Sequence, residues 1–400
     1  MGNHFFSRIP ALLQFCGMDD GVKYIVVTCD SFKGSLTSLR AGDAIRQGIA
    51  EKWPDAVVRV VPVSDGGEGL TEALVENLGG KYLTCRTVNA IGNPITARYG
   101  EIIINRRRTA VIEMAAACGL PQIPVGERDV MESSSYGFGM IMLHAAEKGV
   151  KDMILGLGGS ASCDGGMGLL DAFGVKFPIG GNRILLPSGA MLRYIRSIDI
   201  SKMNYLSKHL RIRVACDVEN PLYGPTGAAA IFAPQKGATT EDVVLLDQGL
   251  RNFAACTLKA TGVDVAQTPG AGAAGGVGAS LVGYFNAVLE RGSRLMLDAI
   301  DFNSMIKGAD LIITGEGKID SQTLMGKMPQ GILEAGLKAG VPVAAIGGIV
   351  EADNALSEAG FAAVVQACPY GMSVDEAMRQ DVAKENLKRA AREVLQQIFG

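Results

Sequence analysis

KYIVVTCDSFKGS, residues 23–35, is the stretch that decides the fold: an apolar run over 23–28 stops at Asp30 and gives way to a loop of hydroxyls, one lysine and a glycine. A strand apolar at successive positions is buried on both faces, the habit of parallel sheets. Helical periodicity follows over 39–53, and a second apolar run, 57–63, ends at Asp65, which makes the segment a β-α-β unit. The same rhythm returns only near the C-terminus: an apolar run at 310–314, a helix at 329–339, runs at 341–347 and 361–366 separated by a helix near 354–359, and an amphipathic helix over 374–398. Five strands alternating with helices predict a doubly wound parallel sheet, with ligands outside the carboxyl ends of its strands.

Between these halves the texture changes. Segments 84–87, 96–104, 110–113 and 211–217 read as hairpin and mixed-sheet strands, so a second α/β domain is expected as an insertion. The expected organisation is an extension at 1–20, a discontinuous doubly wound domain at 21–84 and 293–400, and an inserted domain at 85–292. Met18 is the expected effective start. With 400 residues, two cores are the prior.

The chain carries a formal charge of −3, and its one basic cluster, Arg106-Arg-Arg108, lacks interleaved aromatics and reads as a solvated turn between two strands, so nucleic acid is not the expected partner. Residues 265–289 are uncharged throughout, but the first half is Pro, Gly and Ala rather than Leu, Ile or Phe, which argues against a membrane span. Eight scattered cysteines without a Cys-x-x-Cys pair suggest neither zinc nor a disulfide framework, and a reducing cytoplasm fits. The 52 glycines imply many tight loops.

Five loops carry glycines, hydroxyls and isolated acids: 30–35, 64–69, 158–168, 270–276 and 314–320. Glycine lets successive backbone amides converge on phosphate oxygens, and an isolated carboxylate can hold the accompanying metal. Three of these loops follow strands of the doubly wound sheet and should converge, and the other two should close over them from the insertion. Lys33, Asp65 and Asp164 are the expected catalytic residues. Asp30, Ser31, Ser35, Gly66, Gly67, Glu68, Gly158, Gly159, Ser160, Gly270, Gly272, Gly275, Gly276 and Lys236 are the expected substrate or phosphate contacts. Asp217, Glu316 and Asp320 are the candidate metal ligands, with Asp65 or Asp164 shared. The glycines of 270–278 are the expected moving contact in a cleft that closes on its ligands. The dinucleotide fingerprint at 270–275 has no strand before it, Glu290 at the distance of its acidic partner falls in a helical pattern rather than at a strand end, and Gly326-Lys327 lacks the Ser or Thr of a P-loop, so a nicotinamide oxidoreductase and a P-loop enzyme are disfavoured. A non-catalytic sensor of sugar acids or nucleotides is the remaining alternative.

Taken together, Asp30-Ser-Phe-Lys-Gly-Ser-Leu36, Asp65-Gly-Gly-Glu-Gly69, Gly158-Gly-Ser-Ala161, Asp164-Gly-Gly166, Ala215-Cys-Asp-Val218 with Asn220-Pro-Leu222, Pro234-Gln-Lys-Gly237, Gly270-Ala-Gly-Ala-Ala-Gly-Gly276 and Thr314-Gly-Glu-Gly317 closely resemble the bacterial glycerate kinase family of the first type. The resemblance runs from about residue 22 to the C-terminus. It implies ATP-dependent phosphorylation of D-glycerate to 2-phosphoglycerate, Mg2+ as the accompanying ion, and a flavodoxin-like domain interrupted by a second α/β domain. It leaves open which carboxylate is the base. The chain departs from the family pattern at Cys29 for Pro, Ser64 for Ala, and Ser162-Cys163 for Thr-Asn. If an Asn amide at position 163 touches substrate, Cys163 weakens that contact.

Overall fold

The computed structural model describes residues 23–178, 187–351, 356 and 358–400. The expected extension at 1–20 and half of the expected helix near 354–359 lie outside them. The chain begins with β1 (Tyr24–Cys29), α1 (Ser38–Lys52), β2 (Val57–Val60) and α2 (Leu70–Leu78). It then builds β3 (Lys81–Val88), β4 (Pro94–Ile104), β5 (Arg107–Glu113), α3 (Tyr136–Glu147), β6 (Asp152–Gly156), α4 (Met167–Ala172), β7 (Arg211–Ala215), α5 (Thr240–Thr261), α6 (Ala273–Phe285) and β8 (Val288–Glu290). It ends with α7 (Gly292–Ala299), β9 (Leu311–Ile319), α8 (Met328–Ala339), β10 (Val343–Val350), β11 (Ala363–Gln366), α9 (Val374–Met378) and α10 (Gln380–Phe399).

The first sheet has the order β11-β10-β9-β1-β2, and every neighbouring pair is parallel. Counted within that sheet, the order is the flavodoxin-like one, with the strand order reversing between β1 and β9. The continuous apolar pattern of β1 has its predicted cause. Ile25 and Val27 enter a core with Ile45, Ile49, Leu387 and Leu395 of α1 and α10, and Val26 enters one with Leu70, Leu295 and Ile332 of α2, α7 and α8.

The second sheet, β3-β4-β5-β6-β7-β8, is antiparallel through β5 and parallel beyond it. Asn105 and Arg106 form the turn between β4 and β5 with φ of 50° and 63°, the left-handed pair of a two-residue hairpin, which places the basic cluster on a turn as expected. One face of this sheet packs on α3 to α6. The other face contributes Ile102, Val111 and Ile154 to the same core as Val26, so α2 and α7 lie between the two sheets and an apolar core joins them.

Two local expectations change. The helix expected over 374–398 is broken at Arg379, which is extended (φ −62°, ψ 130°) and pairs with Asp381. Glu290 ends β8 rather than lying on a helix, because a three-residue edge strand is too short to show a period of two, and there it accepts both arms of Arg213 at 2.7 and 2.9 Å.

Candidate active site

The loop after β1 is a tight knot whose anchors are apolar. The Phe32 amide donates to the Leu36 carbonyl at 2.9 Å and the Ser35 amide to the Phe32 carbonyl at 2.8 Å, with both Phe32 and Leu36 buried. This leaves Lys33 at the exposed tip, where it makes no hydrogen bond or ion pair among the described residues. Gly34 (φ +77°) lies against the methyl of Met378, so the knot touches α9 where a Cβ has no room. Asp30 closes the strand. Its Oδ1 accepts the Ser31 amide at 2.6 Å, and its carboxyl is pushed up to about 7, first by burial, then by Asp65, against the pull of the Ser31 amide and Lys33.

The loop 64–69 after β2 is trapped between the sheets by glycine on both sides. A Cβ on Gly158 would stand 2.7 Å from the Gly67 Cα, and Gly66 (φ +100°) lies against Ala215 at the end of β7. The expected glycines at 66 and 158 are therefore needed for close approach, whereas a Cβ on Gly67 would meet only Asp65 Oδ1, at 3.2 Å. Asp65 Oδ1 accepts the Gly67 amide at 3.1 Å, and the half-buried acid remains open to the crevice. Glu113, at the end of β5, accepts the Thr71 amide at 2.7 Å and the Gly69 amide at 3.4 Å, capping α2 and fixing the loop from the second sheet. Asp217, just beyond β7, caps α7 through the Gly292 amide at 2.8 Å. Burial first, and then Asp65, push its carboxyl up to about 6, against the Gly292 amide, Arg291 and Lys33.

Glu316 comes from β9, on the other side of the switch point. Thr323 Oγ1 donates to its Oε1 at 2.7 Å, Lys327 Nζ lies 3.9 Å from its Oε2, and burial raises its pKa above the usual carboxylate range. Asp30, Asp65, Asp217 and Glu316 thus form one acidic group, each of the other three being raised in part by Asp65. Asp320 does not join it. It accepts the Gln322 amide at 2.9 Å and pairs with Lys318 at 3.3 Å; burial works to raise its carboxyl, but Lys318 and that amide outweigh it and hold it low. Among the described residues, no three His, Cys, Asp or Glu side chains stand close enough to hold a metal by themselves.

Two cavities meet at the β1 loop. One, of about 410 Å³, crosses the carboxyl ends of β1, β9, β10 and β11, with Asp30, Asp65, Glu316 and Lys327 at one end and Ile349, Met372 and Leu387 among its apolar walls. The other, of about 580 Å³, lies between the sheets against Glu68, Arg98 and Glu113. Ser31, Phe32, Lys33 and Ser35 line both. Arg98, whose guanidinium lies 4.2 Å from the centre of the Tyr82 ring, is a cation that no sequence motif marked. Lys327 appears in the sequence only as the Lys of an incomplete P-loop pattern, and Glu113 only as the end of a strand.

The glycine loops of the insertion are placed otherwise than expected. Asp164 is fully buried: its Oδ2 accepts the Ser135 amide (2.8 Å), the Ser135 hydroxyl (2.7 Å) and the Gly168 amide (3.1 Å), and its Oδ1 accepts the Gly166 amide (3.1 Å). It ties the start of α4 to the start of α3 and presents no oxygen to the cavities. Lys236 is buried as well, donating to Ser160 Oγ at 2.9 Å and the Ser162 carbonyl at 2.6 Å, and burial lowers its ammonium to about 8. Gly158, Gly159 and Ser160 line neither cavity. Gly270, Gly272, Gly275 and Gly276 are buried, with Gly275 against Ser162 and Gly276 against Gly165, and positive φ from Ala274 to Gly276 turns the chain into α6. These glycines serve backbone packing, not an accessible phosphate. Cys163 lies in the same core, where burial pushes its thiol up to about 12, so its departure from the family pattern falls away from the crevice.

Residues 25–399 match the family model described as the glycerate kinase family. The chain is 41% identical over 371 residues to the glycerate kinase of Bacillus subtilis (strain 168), covering 92% of this chain and 96% of that protein. It is 40% identical over 372 residues to the glycerate 2-kinase of Escherichia coli (strain K12), covering 92% and 96% respectively. A crystal structure from Salmonella typhimurium LT2, described as a "putative glycerate kinase 2", superposes with a TM-score of 0.83 at 39% identity, covering 94% of this chain and 98% of that one.

Proposed function

The chain belongs to the glycerate kinase family, and on that premise we propose that it transfers the γ-phosphoryl group of ATP to the 2-hydroxyl of D-glycerate in the crevice between the two cavities. The observation that carries this reading is Lys33, a lysine without a partner among the described residues that lines both cavities. ATP takes the smaller cavity, with its apolar walls for the nucleoside and its charged end for the phosphates. Glycerate takes the cavity between the sheets, its carboxylate held by Arg98. The hydroxyl oxygen forms the new bond to the γ-phosphorus, the bond from that phosphorus to the β,γ-bridging oxygen breaks, and ADP leaves with the electron pair. Lys33 binds the equatorial oxygens of the transferring group, where charge is spread in the transition state. Asp30 accepts the hydroxyl proton, and burial beside Asp65 suits it by lifting its basicity towards neutral pH.

The donor set also fits Mg2+ arriving with ATP, since that ion is held by one or two carboxylates plus phosphates rather than by an all-protein cage. Asp65 and Glu316 are the residues that would hold it, and it would neutralise phosphate charge. Glu113 positions the loop 64–69, and Asp217 caps α7 beside it. Asp164 and Lys236 hold the insertion in shape. The test is ATP-dependent ADP release with D-glycerate, followed by proton-coupled phosphorus NMR of the product. A doublet marks phosphorylation at the single-proton carbon 2, and a triplet would assign the product to carbon 3 and reject this regiochemistry.

A further inference from the structure

The apolar walls of the smaller cavity carry one carboxamide. Asn386, on α10, lines it among Ala383, Leu387, Met372 and Ala377. Its Nδ2 points at the Met372 thioether sulfur at 3.6 Å, and that weak acceptor is the only partner its amide has among the described residues. The place is braced: Arg389, one helical turn-fraction further along α10, donates to the carbonyls of Gln366 at 3.1 Å and Ala367 at 2.7 Å, fixing the exit of β11 to the helix that carries Asn386. Around it Ile349, Val374 and Met378 are exposed apolar side chains at the cavity wall, although a folded chain has little reason to leave three together in the open.

We propose that Asn386 reads the base of the nucleotide. An apolar slot with one carboxamide of unused bonding capacity is how a flat heteroaromatic ring is bound and oriented. A carboxamide offers one acceptor and two donors, and it matches the adenine edge that presents the N6 donor beside the N7 acceptor. The dimensions agree. From β1 across β9 and β10 to β11 is three strand spacings, about 14 Å, which separates the Lys33 end from the β11 end by the reach of a nucleoside triphosphate. The exposed apolar side chains then stack on the ring, and α9 contacts the Lys33 knot through Met378 and Gly34, so the base and phosphate ends share one wall.

This inference rests on the placement of ATP proposed above, and the test separates the two. The ratio of kcat/KM for ATP to that for ITP, whose ring carries an O6 acceptor in place of the N6 donor, is measured for wild type, Asn386→Leu and the isosteric Asn386→Asp, with Ala377→Trp as a plug in the cavity. The wild-type ratio is expected on the order of 10- to 100-fold, falling towards unity in Asn386→Leu; in Asn386→Asp the carboxylate still accepts from N6 and repels O6, so the ratio is kept or raised while kcat/KM for ATP drops with the loss of the donor to N7. Ala377→Trp is expected to raise KM for ATP at least tenfold. A plug that acts while Asn386→Leu keeps the wild-type ratio overturns the role of Asn386 alone. A plug that leaves KM for ATP unchanged, in a variant with the wild-type unfolding midpoint, overturns the nucleotide placement and the base reading with it.

Discussion

Replacing Asp164 by Asn separates a carboxylate that acts on substrate from one that holds the protein together. The side chain is fully buried and every neighbour it touches is a donor: the Ser135 amide and hydroxyl and the Gly168 amide on one oxygen, the Gly166 amide on the other. Asn has the same shape but must turn its NH2 towards one of these donors. The less costly orientation faces Gly166, losing one bond, leaving a buried amide unpaired and converting three charge-assisted bonds into neutral ones. At ~1–3 kcal/mol for an unsatisfied buried group and a similar loss of charge assistance, the cost is about 2–6 kcal/mol of stability. Urea unfolding followed by fluorescence should show a lowered midpoint without a change in slope, and turnover measured where the variant is still folded should stay within about tenfold of wild type, since no Asp164 oxygen reaches either cavity. A variant with a wild-type midpoint whose kcat falls a thousandfold would refute this reasoning and restore Asp164 to the chemistry.

Three further outcomes follow from the site. Lys33→Met should lower kcat by about 10²–10³ with an unchanged unfolding midpoint, because Lys33 is exposed and unpaired; turnover near wild type would remove it from phosphoryl transfer. Since Asp30 must be ionised to accept a proton and burial and Asp65 hold its pKa up, kcat/KM should fall as pH drops through neutrality, and in Asp65→Asn the residual activity should show this acid limb at lower pH; a limb that stays put or moves up contradicts the assignment. Hydrogen exchange across residues 270–278 should be slow and equal with and without a non-hydrolysable ATP analogue plus glycerate, because these residues are already buried; strong ligand-induced protection there would return them to the role of a moving contact.

The doubly wound sheet was legible because its strands are buried on both faces, so residues 23–28 and 310–314 read as apolar runs on either side of the insertion. Two of the loops, 30–35 and 64–69, were legible for the same reason, since a motif after such a strand has only one place to go; the third motif, 314–320, proves not to be a loop, because β9 runs on to Ile319 and carries Glu316 itself. What misled was the assumption that a glycine loop with an acid is a ligand loop. At Gly158, Gly270 and Gly275 the glycines answer to neighbouring backbone, and sequence does not distinguish a chain segment from a phosphate as the object approached. The cations and amides of the crevice were hidden for another reason. Arg98, Glu113 and Asn386 sit inside ordinary strands and a helix, where only the topology, which sets β4, β5 and α10 around the β1 loop, gives them a role.

The apolar core that joins the two sheets has a consequence for biosynthesis. β1 emerges from the ribosome early, yet its central neighbour β9 begins only at Leu311, so the strand most buried in the finished protein waits for residues 61–310 to be made. At ~5–20 residues per second that wait lasts on the order of tens of seconds. During it the second sheet, whose strands all precede β9, can fold and offer Ile102, Val111 and Ile154 as a surface on which α2 is already seated. The insertion then works as a scaffold for its host: it shelters the first β-α-β unit from aggregation, and the crevice assembles last, when β9 slides in beside β1 and brings Glu316 to Asp65.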